Sequence, residues 1–156
     1  SNSGGIRASI DAGDVTMGEV LTVLPFQNTL STFEISGKVL VEALEHGVSQ
    51  VEESKGRFLQ VAGVTFVWDQ SIAPNEGRIS EVMVASEDGF VPIDLAQTYL
   101  VVTNDYVRKG GDGFKMFAGD DKNAYDFGPD LADVTAEYLA EHAPYQPYVD
   151  GRIAQK

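Results

Sequence analysis

A chain of 156 residues, 43% of them apolar, is long enough for one domain with a real core and too apolar to be disordered. Its net charge of −13 repels nucleic-acid backbones and anionic lipid, so neither is expected as a partner, although a small anionic ligand is compatible if the few cations converge on one cleft. Cysteine is absent, which excludes disulfides and thiolate metal sites, and no apolar run reaches membrane-spanning length, so no membrane insertion is expected.

The opening "SNSGGIRASI" has neither the charged start nor the apolar stretch of a secretory signal. In "TMGEVLTVLPF", Thr16 and Glu19 form a capping box, and the helix it starts stops at Pro25. "STFEIS" alternates as a strand does. "SGKVLVEALEHGVSQ" predicts a helix capped by Ser36, with Val39, Leu40, Ala43, Leu44 and Val48 on one stripe.

The middle of the chain predicts strands. "RFLQVAG" and "VTFVWD" read as two that meet near Gly63, and "RISEVMVA" as a third, with Ile79, Val82 and Val84 mostly on one face. "GFVPID" is an edge candidate because Pro92 cannot donate to a ladder. "TYLVVTN" is the most apolar of the group, as a central strand would be. An irregular acidic loop, "AGDDKNAYDFG", follows. "PDLADVTAEYLAEH" then predicts a helix with Pro129 in its first turn and Leu131, Val134, Tyr138 and Leu139 at helical spacing. The tail is extended, held by Val149 and Ile153. The pattern is α+β: one mixed β-sheet flanked by helices.

Three segments carry the residue types that chemistry needs. In "NSGGIRASI", Gly4 and Gly5 let the backbone turn or approach a ligand closely, between the amide of Asn2 and the forked cation of Arg7. The same residues also suit a plain turn with Arg7 paired to a surface acid. In "LPFQN", Pro25 leaves Phe26 on a loop, where the ring either enters the core or faces a planar ligand; Asn28 could then read a polar edge. In "TNDYVRKGGDGFKMF", Tyr106 sits just past a strand end and Asp112 lies among Gly110, Gly111 and Gly113. Asp112 either accepts from two adjacent hydroxyls of a ligand or ties its own turn through backbone N–H groups. Phe114 and Met116 read as core.

No segment offers a nucleophile beside a base, a phosphate-binding loop or a dinucleotide fingerprint. The two histidines, His46 and His142, stand in helical segments without ligand spacing. No catalytic residue is expected among these segments.

Taken together and in order, "NSGGIR", "LPFQN", "GRFLQVAG", "GGDGF" and "VDGRI" resemble the C-terminal, substrate-binding domain of the 5′-nucleotidase/UDP-sugar hydrolase family. The resemblance implies that residues 1–156 are that domain, without the N-terminal metallophosphoesterase domain and without the first C-terminal-domain helix and its arginine. It implies a substrate that is a nucleotide or nucleotide derivative, with Asn2 and Arg7 near the phosphate. Phe26 and Tyr106 would clamp the base, Asp112 would accept from the ribose, Asn28 would meet the base edge, and Gly56 would lie near the base. No cofactor is expected in this chain; two divalent metal ions are expected in the catalytic domain, this chain's main partner. The parent would be a periplasmic or extracellular hydrolase of nucleotide catabolism, and this chain alone inactive. The alternative is a non-catalytic nucleoside- or sugar-binding module. Arg108 and Lys109 depart from the family pattern, and either meet a phosphate or offset local acidity.

Overall fold

The computed structural model describes residues 1–119 and 122–156. The Asp120–Asp121 pair of the acidic loop lies outside them.

Helix α1 (Met17–Val23) starts where the capping box requires. The Thr16 hydroxyl accepts from the Glu19 N–H at 3.3 Å, and the Glu19 carboxylate accepts from the Thr16 N–H at 2.7 Å. Strand β1 (Leu30–Ser36) runs straight into α2 (Gly37–Val48), whose cap is Ser36. The α2 stripe buries Leu40, Ala43, Leu44 and Val48. Val39 is half-buried at its edge.

The strands form two sheets rather than one. Strand β1 pairs antiparallel with β5 (Thr98–Asn104), from Leu30 opposite Asn104 to Ser36 opposite Thr98. The second sheet has the order β4 (Gly89–Pro92), β3 (Ile79–Ser86), β2 (Val64–Trp68), β6 (Ile153–Gln155). Its β2–β6 pair is parallel and the others antiparallel, so this sheet is mixed. A register shift in the β2–β3 pair accompanies Glu81, which has φ 52°.

A single core lies under both sheets and α2. Phe33 and Ile35 enter it from β1, Leu44 and Val48 from α2, Phe66 and Trp68 from β2, and Val82 and Val84 from β3. Phe114 and Phe117, just past the glycine-rich stretch, complete it. Their rings stack at 5.5 Å, and Phe117 meets Phe33 edge-on at 5.0 Å. Burying such a ring stabilises by about 1.5–3 kcal/mol, which anchors the loop that precedes it.

Four local expectations change. "RFLQVAG" is not a strand: its partner is the chain's first residues, through one bridge, Asn2–Leu59, and flanking bonds such as Ser3 N–H to the Phe58 carbonyl at 2.7 Å. Strand β5 is not central, because β1 is its only strand partner among the described residues. Its alternate residues Leu100 and Val102 are exposed, so its apolar run covers two unlike faces. Pro129 precedes Asp130, which caps α4 (Leu131–Glu141), and so lies outside the helix. In the tail Ile153 joins β6, but Val149 is fully exposed and holds nothing.

Arg108 and Lys109 both meet groups of the protein itself. Arg108 is buried, donates to the Phe117 carbonyl at 2.7 Å and the Gly119 carbonyl at 2.8 Å, and lies 3.7 Å from Asp126. Lys109 pairs with Asp105 at 3.1 Å. Both cations are held by the protein itself.

Candidate functional site

Helix α3 (Asp105–Arg108) begins where β5 ends. Asn104, the last residue of β5, caps it by accepting from the Val107 N–H at 2.8 Å. Tyr106 stands in this short turn with its ring about half exposed. The chain then passes through Gly110, at φ 94°, into a 3-10 turn over Gly111–Gly113. Here Asp112 adopts φ 51°, a conformation that aspartate tolerates better than most residues but that still costs about 1–2 kcal/mol.

Several hydrogen bonds offset that cost. The carboxylate accepts from the Asn2 amide at 2.7 Å and from the Tyr106 hydroxyl at 3.0 Å. The Asp112 N–H donates back to the Tyr106 oxygen at 3.2 Å. The Asp112 carbonyl accepts from His46 Nε2 at 2.9 Å, so Nε2 carries the proton, and the ring of His46 rests edge-on against Phe114. A carboxylate has about four lone-pair positions, so two remain for a ligand. Gly111 has a steric reason to be glycine: a Cβ there would lie 2.5 Å from the Tyr106 ring.

The opposite wall comes from the start of the chain. Gly4 N–H donates to the Gly56 carbonyl at 2.8 Å, and a Cβ on Gly56 would lie 2.8 Å from the Gly4 Cα and 3.6 Å from Asp112 Oδ2. These two backbones touch because neither carries a side chain. Arg7 is tethered by its N–H to the Val23 carbonyl, at the end of α1. Its exposed guanidinium makes one long bond, 3.4 Å, to the Gly4 carbonyl, among the described residues.

The third wall is the loop after α1. Asp105 ties it to α3: its Oδ1 accepts from Asn28 Nδ2 at 2.9 Å and from the Thr29 N–H at 3.2 Å. Burial raises the Asp105 pKa, but hydrogen bonds from Asn28, Lys109 and Thr29 and the Lys109 charge outweigh that and hold it below the ordinary carboxylate value. Phe26 leaves this loop with 56% of its surface exposed, so it is not a core residue.

All seven sequence-predicted residues, Asn2, Arg7, Phe26, Asn28, Gly56, Tyr106 and Asp112, line one cavity of about 590 Å³, with Gly4 and Gly5. That volume suits a ligand of nucleoside size. The lining carries one cation, one carboxylate and two exposed rings. A second hollow of about 500 Å³, against β2, β3 and β6, has Glu81 as its one ionisable group and lacks such convergence. Asn2 also has a supporting role that the resemblance did not imply. It is 3% exposed; its Nδ2 holds Asp112, and its Oδ1 accepts from Asn104 Nδ2 at 3.1 Å. It therefore positions the carboxylate from within.

Sequence reasoning missed Asn104, Asp105 and His46 as supports of the site. Asn104 had a readable signal, as a capping residue before a short helical turn. His46 had none, because its partner is a backbone carbonyl 66 residues away.

Residues 1–119 match the family model described as "5'-nucleotidase, C-terminal domain". The chain is 42% identical, over 161 aligned positions, to the trifunctional nucleotide phosphoesterase protein YfkN of Bacillus subtilis (strain 168), covering 99% of this chain and 11% of that protein. Among solved structures it is similar to the 5'-nucleotidase precursor of Thermus thermophilus, with TM-score 0.95, 43% identity, and coverage of 99% of this chain and 30% of that one. The NAD nucleotidase of Haemophilus influenzae follows, with TM-score 0.89, 30% identity, and coverage of 99% and 28%. The chain thus spans less than a third of these relatives.

Proposed function

The chain belongs to the 5′-nucleotidase C-terminal domain family, and on that premise we propose that it is the nucleoside-holding domain of a metal-dependent nucleotide phosphohydrolase. Phe26 and Tyr106 take the two faces of the base, and stacking of this kind contributes about 1–3 kcal/mol per base. Asp112 accepts from the ribose hydroxyls through its remaining lone pairs. Arg7 lies toward the phosphate end, with most of its N–H donors available. Gly56 leaves room beside the carboxylate, and Asn2 holds Asp112 in place.

Hydrolysis is assigned to a companion metallophosphoesterase domain with two divalent ions. Among the described residues of this chain no three His, Asp or Glu side chains converge as ligands. A role in nucleotide catabolism belongs to the same reading, in keeping with relatives named as a nucleotide phosphoesterase and nucleotidases; a periplasmic or extracellular location is proposed with it. No described helix is long and apolar enough to cross a membrane.

The observation that carries this reading is the convergence of Phe26, Tyr106, Asp112 and Arg7 on one cavity. The test is calorimetric titration of the full-length protein with adenosine in the presence of a chelator, followed by phosphate release from AMP with manganese restored. Binding is expected without metal and hydrolysis only with it. Phe26→Ala is expected to raise KM while leaving kcat nearly unchanged. Absence of nucleoside binding, or a Phe26→Ala enzyme with unchanged KM, overturns the proposal.

A further inference from the structure

Asn28 has an amide whose two ends are chemically unlike, and the protein decides which end it ties up. The group bonded to Asp105 Oδ1 at 2.9 Å must be the Nδ2, because an ionised carboxylate only accepts. Asp105 cannot turn away to allow the reverse. Its Oδ1 also accepts from the Thr29 N–H, its Oδ2 accepts from Lys109, and its backbone N–H donates to the Thr29 carbonyl at 2.9 Å. Its bonds and the Lys109 charge keep it ionised at neutral pH. The other end, Oδ1 of Asn28, accepts no bond among the described residues and is not buried, while Asn28 itself lines the cavity between the loop of Phe26 and the turn of Tyr106.

A base stacked on those rings uses its faces there, so a polar group on the same wall meets its edge. We propose that Asp105 makes this edge contact a one-way acceptor, and that the site selects bases with an exocyclic amino group over their oxo counterparts. An amino group at that edge donates to Asn28 Oδ1. An oxo group sets one acceptor against another, and the amide cannot flip to relieve it without placing Oδ1 against the Asp105 carboxylate. The inference rests on the nucleoside reading above.

The experiment compares the binding of adenosine, purine riboside and inosine to the full-length protein by calorimetry. These ligands carry an amino group, a hydrogen and an oxo group at the same ring position. Adenosine is expected to bind about tenfold more tightly than inosine, with purine riboside between them. In Asp105→Asn the amide of Asn28 is free to turn, and the adenosine-to-inosine ratio is expected to fall toward one. Equal affinity of the wild-type protein for all three, or tighter inosine, overturns the inference while leaving the nucleoside reading intact. Binding of none of them overturns both. A ratio that survives in a folded Asp105→Asn protein shows that Asp105 does not set the preference. The comparison of ligands on the wild-type protein stands even if that variant fails to fold.

Discussion

Tyr106 and Asp112 are joined twice: the phenol donates to the Asp112 carboxylate at 3.0 Å and accepts from the Asp112 N–H at 3.2 Å. The stacking ring and the carboxylate are therefore one unit. Tyr106→Phe keeps the ring and removes both bonds. We expect a loss of about 1–2 kcal/mol in nucleoside affinity, and a further loss of about 1–3 kcal/mol for Tyr106→Ala, which also removes the stack. Calorimetric titration of the two variants checks this. Equal losses would mean that the hydroxyl does nothing.

Asp112→Asn tests the ribose contact. A contact made alike in ground and transition states raises KM and spares kcat. The expected loss in kcat/KM on a nucleotide is about 1.5–3 kcal/mol, or roughly ten- to a hundredfold. On a simple aryl phosphate, which has no ribose, little change is expected. An equal fold-loss on both substrates would assign Asp112 to holding its loop and nothing more.

Gly111→Ala places a methyl group within 2.5 Å of the Tyr106 ring, so the ring must move. Overpacking of this kind costs about 1–3 kcal/mol when the neighbour cannot yield, but this ring is half exposed and can swing. The expected result is a small drop in melting temperature, from breaking the two Tyr106–Asp112 bonds, with clearly weakened nucleoside binding. A large drop in Tm with affinity retained would reverse that assignment.

Asp105 links stability to pH. Its folded pKa lies below the ordinary value of about 3.9, so the unfolded chain binds the proton more tightly. The stabilisation is fully present above about pH 4 and is lost as pH falls through the lowered folded value. Carboxyl NMR titration should place Asp105 below the ordinary aspartate value. Urea midpoints of wild type and Asp105→Asn should converge as the solution is acidified. A folded pKa above about 3.9 would contradict the Asn28–Asp105–Lys109 arrangement.

The chain's local signals were legible without coordinates. The Thr16–Glu19 box and the Ser36 cap act over three residues, so a short window contains both partners of each bond. The α2 stripe was equally visible, because its period is set by the helix itself. The site residues were nameable from their resemblance to a family, while spacing alone left Phe26 between core and ligand. Tertiary structure decided what depends on distant partners. Asn2 meets Asp112 across 110 residues, and no local pattern announces that bond. The β5 strand could not be placed from its apolar run, since composition does not say which faces are covered or how many neighbours pair with it. Arg108 stood open between a phosphate and local acidity until the fold brought the Phe117 and Gly119 carbonyls to it. Which end of the Asn28 amide is tied up within the protein was likewise set by Asp105, 77 residues along the chain, because a carboxylate can only accept.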